Sequence, residues 1–185
     1  MKKFFLTTAA IIFAGLIFCA NAGKGKTDKE ARRQQRRERR ELRNERWIHE
    51  VNIITEDQFH YDFPNAKDVS WTRNDFEEAH FTDGQVQKTA YYDWDNNLVG
   101  TTCEVAYPTL PADARRQISK KYPGFKVQKV ILFDDNEYND TDMILFASGF
   151  EDEDTNFVVL SNGLKEVILK VDMRNDVSFF QEHKV

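Results

Sequence analysis

FPNAKDVSW, Phe63 to Trp71, is the stretch whose reading decides the architecture, and its logic returns near Tyr122 as YPGFKVQKV. Phe59, Phe63, Pro64 and Lys67 are matched at a constant offset of 59 residues by Ile118, Tyr122, Pro123 and Lys126. In each copy two apolar residues four apart share one helical face. The proline disfavours helical backbone in the residue before it, so the helix ends there. An extended segment follows, with Val69 and Trp71 in one copy and Val127 to Phe133 in the other. Asp95-Asn96-Asn97 before Leu98 and Ser161-Asn162-Gly163 before Leu164 are hairpin signals, since tight turns need positive φ at their central residues. The pattern predicts an internal duplication over about 55–107 and 110–172. The second copy is longer by about seven residues, which the acidic run DDNEYNDTD from Asp134 to Asp142 can supply.

Within the copies, Thr55-Glu56-Asp57 suits a helix start, with carboxylates near the positive end of the dipole. Pro111 suits the first turn of the second helix, whose buried face is Ala114, Ile118 and Tyr122. Strands are expected at Phe76–Thr82, Gln85–Trp94 and Leu98–Tyr107, with a turn at Asp83-Gly84. Val86, Ala90, Tyr92 and Trp94 fall on one face, and Val99, Cys103 and Val105 line the facing strand, as a half-buried antiparallel sheet requires. In the second copy strands are expected at Lys126–Phe133, Met143–Phe150, Asn156–Leu160 and Leu164–Val171. MILF at 143–146 and FVVL at 157–160 are continuously apolar, which predicts cover on both faces, by the chain's own packing rather than by a partner. The fold class is α+β: a tandem pair of helix-plus-antiparallel-sheet units occupying 47–185.

Before that domain lie two segments of different character. Residues 1–22 read as a secretory signal, with Lys2 and Lys3, an apolar run from Phe4 to Phe18, and Ala20-Asn21-Ala22 as the cleavage site. Cys19 would suit a lipoprotein only after a small residue, and Phe18 stands there. The apolar run is shorter than the roughly 20 residues a span needs, so no transmembrane segment is expected after cleavage. An exported chain that retains Cys103 alone has no internal disulfide and must rely on its core. Cys103 alternates with strand apolar residues and reads as a small buried hydrophobe.

The arm, residues 23–46, carries 11 Lys or Arg against 5 Asp or Glu, a net of +6, while 47–185 carries −13. Its residues are good helix formers, charges of both signs alternate along it, and only Ala31, Leu42 and the adjoining Trp47 are apolar. Without an apolar stripe it is neither a coiled coil nor a membrane-inserting helix. It is either a solvated, flexible or helical spacer or an attachment to an anionic surface through Arg32, Arg33, Arg36, Arg37, Arg39, Arg40 and Arg43. Nucleic acid fits the charge but not an exported compartment.

FPNAKDVSW, YYDWDNNLVGT, LPADARRQISKKYPGF and VVLSNGLKEVIL together resemble the PepSY-like, beta-lactamase-inhibitor-like domain of exported bacterial proteins, from about Glu56 to Val171. The resemblance rests on scattered Pro, Trp, Tyr and Gly positions. It implies tandem helix-and-sheet units in the periplasm or beyond, and a concave sheet of the kind that protein inhibitors present. No inhibitory motif is present to carry binding residues over, and inhibition of an enzyme is not implied.

Signals for catalysis, metal or cofactor are weak. His49, His60, His80 and His183 lack metal-ligand spacing, although His80 stands beside Glu77 and Glu78. Asp93, Asp95 and Asn97 echo a calcium loop, and Glu104 occupies its twelfth position, but Leu98 replaces the glycine at the sixth; a hairpin turn is the better reading. The acidic runs 134–142 and 151–154 read as solvated loops. No nucleophile elbow, phosphate loop or metalloprotease helix occurs. Tyr91 alternates away from Tyr92 and Trp94 and is the expected exposed aromatic for a partner surface. The sequence thus predicts a non-enzymatic exported binding module acting on a protein through its sheet face. The alternative is an envelope-associated structural or cation-buffering protein held by its arm.

Overall fold

The computed structural model describes residues 24–184; the expected signal segment lies outside the described residues. The chain divides into two compact units between Glu41 and Leu42. The N-terminal helix α1 runs from Lys24 to His49. The folded domain contains α2 (Ile53–Asp62), β1 (Lys67–Arg73), β2 (Glu77–Asp83), β3 (Val86–Tyr92) and β4 (Leu98–Val105). A short 3-10 turn, Tyr107–Thr109, then leads into α3 (Ala112–Lys121), β5 (Lys126–Asp135), β6 (Met143–Leu145), β7 (Ser148–Phe150), β8 (Thr155–Ser161), β9 (Lys165–Val171) and β10 (Val177–Lys184).

Both α2 and α3 end where a proline lies just ahead, Pro64 and Pro123: Phe63 and Tyr122 cap them, each donating its N–H to the carbonyl four residues back, Phe59 and Ile118. The start of α2 is earlier than Thr55. Asn52 caps it, its side chain accepting from the Ile54 N–H at 3.1 Å, and Thr55 is buried for another purpose described below.

Eight strands form one antiparallel sheet in the order β1-β2-β3-β4-β5-β8-β9-β10, joined across its centre by the β4–β5 pairing from Gly100 with Asp135 to Val105 with Val130. Both helices pack on one face. Under α2, Phe59 is fully buried among Phe63, Trp71, Phe81 and Tyr92, with ring centroids 5.1–6.5 Å apart. Under α3, Ala114 and Ile118 meet Val130, Val158, Leu160 and Leu169.

The order helix–β–β–β–β occurs twice, as α2 with β1–β4 and α3 with β5, β8, β9 and β10. The β3–β4 and β9–β10 turns are alike atom for atom at an offset of 79 residues. Asp93 Oδ1 accepts from the N–H of Asp95 and Asn97, and Asp172 Oδ1 from Arg174 and Asp176, all at 2.9 Å. Asn96 and Asn175 hold φ of 68° and 70°. The expected match of Asp95-Asn96-Asn97 with Ser161-Asn162-Gly163 is therefore corrected, because the latter is the β8–β9 turn and corresponds to Asp83-Gly84. The offset grows from 59 to 79 between β5 and β8. The added length is about twenty residues rather than seven, and it holds the β6–β7 hairpin where one strand, Met143–Phe150, was expected. β10 lies beyond 172 and supplies the last strand.

The hairpin has a packing role. Met143 and Phe150 are buried against Phe133, Phe157, Val159 and Ile168 on the sheet face opposite the helices, joined by Phe146 and Phe180. This covers the second face of β5, β8 and β9, which explains their continuously apolar sequences.

Candidate functional site

That apolar cover reaches Tyr91 and Val99 at one end of β3 and β4, where Phe76 joins it, and leaves the rest of this face of β1–β4 polar. The register places Thr72, Glu78, His80, Thr89, Thr102 and Glu104 on this part of the face, with Lys129 beside them on β5. His80 is held by two threonines, its Nε2 2.9 Å from Thr72 Oγ1 and its Nδ1 2.9 Å from Thr89 Oγ1. Thr72 also lies 3.3 Å from Glu78 Oε2, and that oxygen stands 3.8 Å from His80 Nε2. A shallow depression of about 240 Å³ opens here, lined by His80, Gln87, Thr89, Thr102, Glu104 and Lys129 among others. Gln87, Glu104 and Lys129 are exposed.

The arrangement offers alternating donors and acceptors on a rigid pleated surface, with opposite charges at Glu104 and Lys129. Glu77, expected beside His80, points to the other face and is buried. Among the described residues no group of three or more His, Cys, Asp or Glu could hold a metal ion. Asp93, first residue of the calcium-like stretch, already accepts two backbone N–H bonds at Oδ1 and one from Asn139 Nδ2 at Oδ2, 3.0 Å away.

Tyr91 requires correction. It does alternate away from Tyr92, but that face is occupied at this point: Phe76 packs on it edge-to-face at 6.2 Å, and Tyr91 is only 8 % exposed. Its hydroxyl lies 3.1 Å from Thr102 Oγ1, and burial, partly offset by Thr102, pushes its pKa up to about 12. Tyr91 is therefore a core residue and no direct contact for a partner. The exposed aromatic nearby is Trp94, 57 % exposed in the turn after β3, with the Arg73 guanidinium 5.7 Å from its ring centre. Cys103 is half-buried rather than buried, and burial pushes its thiol pKa up. It is kept protonated, which suits a packing role better than a nucleophile.

Arg32, Arg33, Arg36, Arg37, Arg39 and Arg40 lie exposed along α1, and the side chain of Arg43 lies outside the described ones. Sequence reading missed Thr89, Glu104 and Lys129. Period-two alternation from Tyr91 would have found Thr89, but Glu104 required the β3–β4 pairing and Lys129 the β4–β5 pairing.

No protein-family model matches the chain, and no curated protein matches it significantly. Solved structures share its fold, which is that of BLIP-like and DUF2874 proteins. A BLIP-like protein of Bacteroides fragilis aligns with a TM-score of 0.53 at 18% identity, covering 74% of this chain and 87% of that one. A DUF2874 protein of Bacteroides uniformis aligns at 0.58 and 12% identity, covering 74% and 91%. A candidate periplasmic protein of Bacteroides eggerthii aligns at 0.58 and 11%, covering 74% and 90%. The chain is thus an α+β protein of BLIP-like fold, and no described helix is long and apolar enough to cross a membrane.

Proposed function

We propose that this chain is an exported, non-enzymatic binding module whose protein partner docks on the sheet face over β1–β4. The observation that carries the reading is the division of that face. Where it is apolar, the chain covers it with its own hairpin; where it carries Glu78, His80, Thr89, Glu104 and Lys129, no element among the described residues covers it. A flat, preorganised set of hydrogen-bonding groups suits a polypeptide partner, because few of its side chains must be ordered on binding. The fold shared with a candidate periplasmic protein and the signal-like N-terminus support export. The reading assigns no inhibited enzyme.

A photoreactive residue at the exposed Gln87 tests it in intact cells, with one at exposed Arg116 on α3 as control. A discrete protein adduct at position 87 and none at 116 is expected. No adduct at 87, or the same adducts at both, overturns the reading. A Tyr91 variant is a poor control, since emptying its site would disturb the core.

A further inference from the structure

The charges of the arm alternate in sequence but not in space. At about 100° per residue, Arg32, Arg33, Arg36, Arg37, Arg39 and Arg40 of α1 all fall within an arc of about 160°. Glu30, Glu38 and Glu41 all fall outside it. Every side chain from Glu30 to Leu42 is exposed.

This order is unfavourable to the helix by itself. Arg32 and Arg36, Arg33 and Arg37, and Arg36 and Arg40 are like charges four apart, and Arg36 and Arg39 three apart, each a destabilising pair. A spacer helix stabilised by its own charges would place glutamates four residues before arginines. Stacking like with like gains only when something outside neutralises the arginine face. Between Arg32 and Arg40 that face has no apolar residue to insert, so its contact is with a surface rather than a cleft. It uses guanidinium throughout, the group that pairs two N–H donors with two phosphate oxygens. From Arg32 to Arg40 it extends about 12 Å in a straight line.

We infer that the arginine face of α1 lies on the phosphate plane of an anionic phospholipid bilayer, tethering the domain to a membrane surface. The contact is electrostatic, without insertion, and therefore sensitive to salt. It uses residues distinct from those of the sheet face.

The test is flotation of the purified protein with phosphatidylglycerol-containing vesicles, against pure phosphatidylcholine vesicles, across ionic strength. A scrambled variant keeps composition and net charge but breaks the face: Arg36→Gln with Gln34→Arg, and Arg40→Glu with Glu41→Arg. The expected result is binding only to anionic vesicles at low salt, with each arginine turned off the face lowering partition about fivefold. Circular dichroism of the scrambled variant establishes that the helix is retained. Equal binding by the scrambled variant overturns the inference, because net charge alone would then suffice. No vesicle binding at low salt overturns it too, as does arginine-dependent self-association in sedimentation, which would assign the face to a second copy. Crosslinking at Gln87 is unaffected by the scramble, so failure here is distinct from failure of the sheet-face reading.

Discussion

Arg73 donates to the buried carboxylate of Glu77, and Glu77 in turn ties three segments together. Its Oε1 also accepts the Asn52 backbone N–H at 3.0 Å, and its Oε2 accepts from Thr55 Oγ1. Glu77 is 2 % exposed, so its charge is tolerable only because these donors surround it. On the other side Arg73 lies between the rings of Trp47 and Trp94, at 5.5 and 5.7 Å. The start of α2, the β1–β2 hairpin and the β3–β4 turn therefore meet at the Arg73–Glu77 pair. Glu77→Ala strands a half-buried guanidinium and a backbone N–H, and about 3 kcal/mol of stability is expected to go. Urea denaturation measures it; a loss below about 1 kcal/mol would show that the ion pair is merely peripheral.

Gly100 marks the seam between units. It sits at the irregularity of the β3–β4 pairing, and a Cβ there would stand 2.6 Å from the Phe133 ring and 2.7 Å from the Asp134 carbonyl. The ring is fully buried and cannot retreat, nor can the sheet backbone. Gly100→Ala is expected to cost about 1–3 kcal/mol by overpacking, although the residue's backbone is ordinary. Thermal unfolding of the variant checks this, and an unchanged midpoint refutes it.

These two sites show what the sequence could and could not say. The prolines at 64 and 123 legibly ended both helices, and Val69, Trp71 and Tyr92 legibly pointed into the sheet, because both signals are local. The polar tie at Glu77 was not legible: an acidic residue in a strand reads as solvated until Asn52, Thr55 and Arg73 converge on it from elsewhere in the chain. Tyr91 failed for the same reason. Alternation gives a side but says nothing of what lies above that side, and Phe76 lies there. The length of the insertion was misjudged because two Asn-containing turns look alike in sequence, whereas their φ angles and carboxylate caps separate them. The candidate face was only partly visible, since its β5 contribution depends on pairing across the two units.

Thr155 offers a stabilising change. It is 1 % exposed at the start of β8, paired with Phe133, and its Oγ1 is buried without a hydrogen-bond partner. A buried hydroxyl with no partner carries its desolvation cost uncompensated. Thr155→Val keeps the branched shape that a strand favours and removes the hydroxyl. A gain of about 1 kcal/mol is expected in urea denaturation. A loss instead would reveal a partner to that oxygen, such as an ordered water.

Asp135 makes stability depend on pH in an unusual direction. Burial and then Asp152 raise its pKa above the ordinary value, outweighing the Asn136 backbone N–H, and Asp154 and Glu137 add to the rise. Its Oδ1 is buried without a partner. A carboxyl whose folded pKa lies above its unfolded one favours the folded state in its protonated form, so the fold loses stability as pH rises through that window. Below the ordinary aspartate range, about pH 4, both states are protonated and the effect vanishes. Asp135→Asn removes the ionisation while keeping an acceptor for Asn136. The variant is expected to gain on the wild type as pH climbs from about 4 to 7, and to match its pH-4 offset when acidified again. Paired urea titrations at both pH values decide it. An offset identical at the two values would mean that the carboxylate's charge costs the fold nothing, and that burial at this end of β5 is already relieved by solvent.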